Sequence, residues 1–149
     1  MNPLSMRVSL PVALSLRHIT MKIILFDGVC NFCNATVNFI LKRDKRKVFH
    51  FAAQQSEQGR KLLELRGNAD TTLKTLILID EEELLEGMEA VIAIARELKG
   101  YSWLSSLLRI IPRRISHAAY DLVARNRYKW FGKRDACRLP EPGEQERFL

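Results

Sequence analysis

A chain of 149 residues with 24 lysines and arginines against 17 acidic residues carries a net charge of +7, and it is long enough for one domain with a real core. Its 47% hydrophobic and 28% charged residues exclude a disordered or fibrous chain, and no apolar run reaches the roughly 18 residues that cross a bilayer. Three cysteines, Cys30, Cys33 and Cys137, are too few and too odd a number for a secreted disulfide framework.

Residues 1–20 contain Arg7, Arg17 and no acid, with a weak apolar run broken by Pro11. An acid-poor leader of this kind resembles an organellar targeting segment. The simpler expectation is a poorly ordered extension, with the folded domain starting at Met21 and running to residue 139.

Residues 22–26 form a continuous apolar run closed by Asp27-Gly28, which predicts a strand buried on both faces followed by a turn. From Cys30 to about Arg43 the spacing becomes helical, with Cys33, Val37, Ile40 and Leu41 on one face and Phe32 and Phe39 widening it. Residues 48–53 read as a second strand. Ser56 caps a helix running to about Arg66, with Leu62, Leu63 and Leu65 inward and Gly67-Asn68 as its stop. Residues 74–79 read as a third strand, the acidic cluster 80–83 as a turn, and Leu84-Leu85 as the start of a fourth strand antiparallel to the third. Met88, Val91, Ile92, Ala95 and Leu98 then mark an amphipathic helix ended by Gly100.

This order, β-α-β-α-β-β-α, is the thioredoxin-like plan of the α/β class. Two further helices follow, 101–111 and 113–128, separated by Pro112. Here Arg109, Arg113, Arg114, Arg125, Arg127, Lys129, Lys133 and Arg134 face a single acid, Asp121, with Trp130 and Phe131 among them. Residues 140–149, with two prolines and a glycine, are expected to form a loose tail.

Cys30-Asn31-Phe32-Cys33 opens the first helix. A sulfur at a helix N-terminus meets unpaired N–H groups and the positive end of the helix dipole, which favour its anion. Cys30 is therefore the candidate nucleophile. Cys33, one turn on, is the candidate resolving thiol, because residues at i and i+3 lie close enough to bond. Asp27 is a candidate proton shuttle for Cys33, although its charge opposes a thiolate at Cys30. It reads equally well as a plain turn residue or helix cap. Cys137 reads as a small buried hydrophobe, with a third redox thiol as the alternative.

The segment Asp27-Gly28-Val29-Cys30-Asn31-Phe32-Cys33 resembles the DCC family of thiol–disulfide oxidoreductases, named for its Asp-x-x-Cys-x-x-Cys signature. Gln55-Ser56, the stretch 87–94, Tyr120, Ala124-Arg125-Asn126-Arg127-Tyr128 and the late Cys137 resemble it too. The resemblance spans about residues 21–139. It implies a thioredoxin-like fold and an oxidoreductase activity with no named substrate. Unlike thioredoxins at large, the chain has no proline in 70–75, before the third strand.

No cofactor or metal is expected. The partner is a disulfide-containing protein or a small thiol or disulfide, and a reducing, cytoplasmic location is expected, with organellar targeting through residues 1–20 as the variant. Two other classes compete. One is a basic binding module in which the C-terminal helices grip RNA, an anionic membrane or an acidic protein. No nucleic-acid motif accompanies the charge, so the simpler reading is a solvated basic face whose aromatics pack on the core. The other is a structural zinc site from Cys30, Cys33 and Cys137 with His18, His50 or His117, which lacks a second pair at ligand spacing.

Overall fold

The computed structural model describes residues 21–67 and 75–149, so the extension 1–20 and the residues 68–74 before the third strand lie outside the description. Four strands, β1 (Lys22–Phe26), β2 (Phe49–Ala53), β3 (Ile77–Asp80) and β4 (Glu83–Glu86), form one sheet in the order β2-β1-β3-β4. β1 pairs parallel with β2 and antiparallel with β3, and β3 pairs antiparallel with β4. The parallel pair needs a crossover, and α1 (Asn31–Arg43) supplies it. α2 (Glu57–Leu65) and α3 (Gly87–Glu97) follow β2 and β4, which makes the mixed α/β arrangement thioredoxin-like, as expected.

The alternation of strand side chains divides the core in two. Ile24, Phe26, Phe49, Phe51 and Leu78 face Val37 and Ile40 of α1 and Ala90, Ile94 and Leu98 at α3. Ile23, Leu25, Ala52, Ile77 and Ile79 face Leu63 of α2. β1 is apolar throughout its inner residues because both of its faces are covered.

Several helix faces differ from expectation. Leu65 is 82% exposed, since two residues beyond Leu63 it lies about 200° around the helix, on the opposite side. Phe32 and Phe39 stay partly exposed on α1, stacked on Phe131 and edge-on to Tyr101, while Asn34 takes a buried place on the inner face. On α3 the inner face centres on Ala90 and Ile94 rather than on Met88, Val91 and Ile92. The hairpin turn is only Glu81-Glu82, with Glu81 at φ 55°.

α4 (Ser102–Ile110) packs on α3, and α5 (Arg113–Phe131) packs on α1 and α3. α5 runs three residues past the expected end.

The tail expected to be loose is docked. Leu149 N–H donates to the Phe51 carbonyl at 2.8 Å, and Phe148 sits edge-on to Phe26 and beside Phe51. Arg147, buried, bonds the Asp44 carboxylate at 2.5 Å and the Phe49 carbonyl from two nitrogens. Pro and Gly set the turns of this segment, but a buried ion pair and an aromatic ring fix its position. Arg147→Ala strands a buried Asp44 carboxylate, so stability should fall by about 3 kcal/mol or more. In a thermal melt the midpoint should drop by roughly 10 °C.

Candidate active site

The site begins where β1 runs out. Asp27-Gly28-Val29-Cys30 closes as a turn, with Cys30 N–H donating to the Asp27 carbonyl at 3.3 Å. Gly28 sits in a tight space: a Cβ there would lie 3.0 Å from Ala53 Cβ and 3.1 Å from Cys137 Sγ, so either neighbour would have to give way. From α1, Asn34 Nδ2 ties the turn down by donating to the Gly28 carbonyl at 3.0 Å and the Cys30 carbonyl at 2.9 Å.

Cys30 is the N-cap of α1, and its Sγ accepts the Cys33 backbone N–H at 3.3 Å. The sulfur thus takes the place a Ser or Asp oxygen usually holds at a helix start. All three cysteines are free thiols. Burial pushes the Cys33 thiol up, far above the ordinary cysteine range, with the hydrogen bond to Cys30 and the Cys30 charge adding to the rise. Asp27 adds a smaller push upward, and the Arg127 guanidinium pulls the other way.

Asp27 is buried at the centre of a converging set of donors. Oδ1 accepts from Val29 N–H at 3.1 Å and from Gln55 Nε2 at 2.6 Å. Oδ2 accepts from Arg127 Nη2 at 3.1 Å and from the Tyr128 hydroxyl. These four donors occupy the roughly four lone-pair positions of a carboxylate. Arg127 and Asp27 are both almost wholly buried, so this is an internal ion pair. Burial, then the hydrogen bond with Asp27, pushes the Tyr128 phenol up to about 12.

Arg127, Tyr128 and Gln55 are the residues whose part the sequence did not give. In sequence Arg127 falls among the exposed cations of α5, yet it faces inward. The signal was present in the resemblance, which singled out Gln55 and the 124–128 stretch without assigning them work.

The segment after α5 straps across the turn. Arg134 N–H donates to the Val29 carbonyl at 2.7 Å, Arg138 N–H to Gly28 at 3.1 Å, and Asn31 N–H to Gly132 at 3.4 Å. Lys133 bridges Cys30, and Asn31 Nδ2 holds the Phe131 carbonyl at 3.0 Å. Under this strap Cys30 is 0% exposed, whereas Cys33 is only partly covered. Cys137 lies over Gly28 and packs on the same core cluster as Cys33.

A turn, a capped sulfur and a second thiol one helical turn on match a known pattern. Residues 24–133 match the model of the DCC1-like thiol-disulfide oxidoreductase family. The chain belongs to that family. Among curated relatives, it is 38% identical over 128 residues to the uncharacterized protein YuxK of Bacillus subtilis, covering 86% of this chain and 93% of that one. It is 36% identical over 118 residues to the chloroplastic DCC family protein At1g52590 of Arabidopsis thaliana, covering 78% of this chain and 69% of that one. No solved structure matches it.

In this DCC1-like chain the matched span holds the whole Asp27–Arg127–Tyr128 cluster as well as both site cysteines. No group of three or more His, Cys, Asp or Glu residues gathers as metal ligands among the described residues. His50 lies on β2, and His117 lines a separate cavity of about 440 Å³ with Lys22, Glu97 and Arg109. No helix among the described residues is long and apolar enough to cross a membrane.

Proposed function

We propose that this protein exchanges a Cys30–Cys33 dithiol for a disulfide with a partner, Cys30 attacking and Cys33 resolving. The observation that carries the reading is the Cys30 sulfur at the α1 N-cap, receiving the Cys33 amide at 3.3 Å. The Cys30 thiolate attacks one sulfur of the partner disulfide. A Cys30–partner bond forms, and the partner's other sulfur leaves as a thiolate. Cys33 then loses its proton to solvent and attacks Cys30 Sγ. The Cys30–Cys33 disulfide forms and the second partner sulfur leaves. Two electrons pass to the partner, and a dithiol reductant must return them.

The surroundings order these steps. While Cys30 is an anion, its hydrogen bond and charge hold Cys33 protonated. Once Cys30 is in the mixed disulfide, both influences are gone; burial and Asp27 still hold the thiol up, but the pull of Arg127 now opposes them alone, so Cys33 ionises more readily than before. Asp27 serves this as a positioning residue. With its lone-pair positions filled it is better suited to hold Arg127 than to carry the Cys33 proton. The Arg127 cation also offsets the like-charge objection to a carboxylate beside a thiolate.

Attack by Cys30 requires the strap to lift. The Asn31 side chain fastens it twice, donating to the Phe131 carbonyl and accepting from Arg134 Nε at 3.1 Å. Asn31→Ala should therefore speed alkylation of Cys30 by iodoacetamide about three- to tenfold, the worth of one or two partly exposed hydrogen bonds. An unchanged rate would mean that the strap does not gate the sulfur.

The test of the reading is a glutathione redox titration of the full chain, read by mass. Cys30 and Cys33 should be lost together as one species two hydrogens lighter. Separate glutathione adducts on each, or two thiols that stay reduced at every ratio, would contradict it.

A further inference from the structure

The redox site leaves one part of the molecule unexplained. α4 and α5 carry large apolar side chains on their outer sides. Trp103, Leu107 and Ile110 are exposed on α4, at spacings of four and three that make one stripe. Ile115, Leu122 and Trp130 are exposed on α5, with Ala118 and Ala119 between them in the same stripe. The two stripes approach each other along the chain at the Ile111-Pro112 corner. The sides of α5 that pack on α1 and α3 instead carry Ser116, Tyr120 and Arg127, so the apolar periodicity of this helix points away from the core.

Charge and residue type decide what such a surface fits. Arg114, Arg125 and Lys129 are exposed on α5, and Asp121 is the sole acid from 101 to 134. A second copy of the chain would set cations against cations. Nucleic acid would use stacked aromatics and phosphate contacts, and gains nothing from Leu107, Ile110, Ile115 and Leu122. Aliphatic side chains flanked by Arg and Lys are the composition of a helix lying at an anionic bilayer surface. The chain has two tryptophans, and both are here, 61% and 52% exposed, as the side chain that favours the headgroup level.

We propose that α4 and α5 dock this protein on an anionic phospholipid surface, with the apolar stripes in the acyl boundary and the α5 cations at the headgroups. The tryptophans report on it directly. Full-length protein is mixed with vesicles of phosphatidylglycerol or of phosphatidylcholine, and tryptophan emission and co-sedimentation are followed. A blue shift with sedimentation on phosphatidylglycerol, reversed by high salt and absent on phosphatidylcholine, is expected. The triple variant Arg114→Gln/Arg125→Gln/Lys129→Gln should lose about a hundredfold in partitioning, from roughly fivefold per cation near a charged surface. Ile115→Gln/Leu122→Gln should also weaken it, and circular dichroism should show both variants folded, because these positions are exposed. No emission change on phosphatidylglycerol would overturn the proposal. So would binding undiminished in both variants, which places it elsewhere in the chain, or retention on RNA or an acidic protein without vesicle binding.

Discussion

Cys30→Ser is expected to abolish reduction of a model disulfide by this protein, lowering the rate by about a thousandfold or more, because a serine hydroxyl does not ionise at neutral pH. Serine is also a good N-cap, so it should accept the Cys33 amide in place of the sulfur and leave α1 intact. The loss would therefore be chemical rather than structural, and the melting midpoint should barely move. Cys33→Ser should behave differently. It keeps the attacking sulfur and removes the displacing one, so a first exchange proceeds and then stalls. Stopped assays should show a stoichiometric burst of released partner thiol and no turnover. Cys137→Ser should retain turnover, since Cys137 fills space over Gly28 and packs on the core.

The second large effect belongs to the pair that joins the site to the end of α5. Arg127→Met leaves the Asp27 carboxylate buried with its cation gone, and should cost about 3–5 kcal/mol of stability. It should also slow resolution more than attack, because Arg127 is the group that favours the Cys33 thiolate. Raising the pH should recover the resolution rate by about tenfold per unit until Cys33 ionises freely. Asp27→Asn/Arg127→Gln removes both charges and should regain most of the stability without regaining the low-pH resolution rate. Chemical denaturation and single-turnover kinetics across pH separate the two consequences. A purely structural pair would change the first and leave the pH profile of the second unmoved.

How far the sequence reached depends on the distance over which the decisive contacts act. β1, the Asp-Gly turn and the capped Cys-x-x-Cys are local: an apolar run, a turn pair and a helical spacing each reveal themselves within a few residues. The sheet order follows from element order and short connections. Arg127 could not be found that way. Its partner is 100 residues distant, and its neighbours Arg125 and Lys129 are exposed, so a cluster of cations reads as one solvated face. Periodicity misled on α5 for a related reason. Its outward stripe is the apolar one, and its inward side is held by Tyr120, whose hydroxyl accepts the Leu76 N–H at 2.9 Å, and by the Arg127 ion pair. The tail misled because composition weighs all ten of its residues, while two of them, Arg147 and Phe148, dock it.

The mechanism requires that Cys30 be the sulfur that meets the partner. The direct measurement is a trap: reduced Cys33→Ser protein is mixed with a disulfide-containing peptide, quenched in acid, digested and mapped by mass spectrometry. The expected result is one peptide adduct per chain, on Cys30. An adduct on Cys137 instead, or an untouched Cys30 while the wild-type chain turns over, would contradict it.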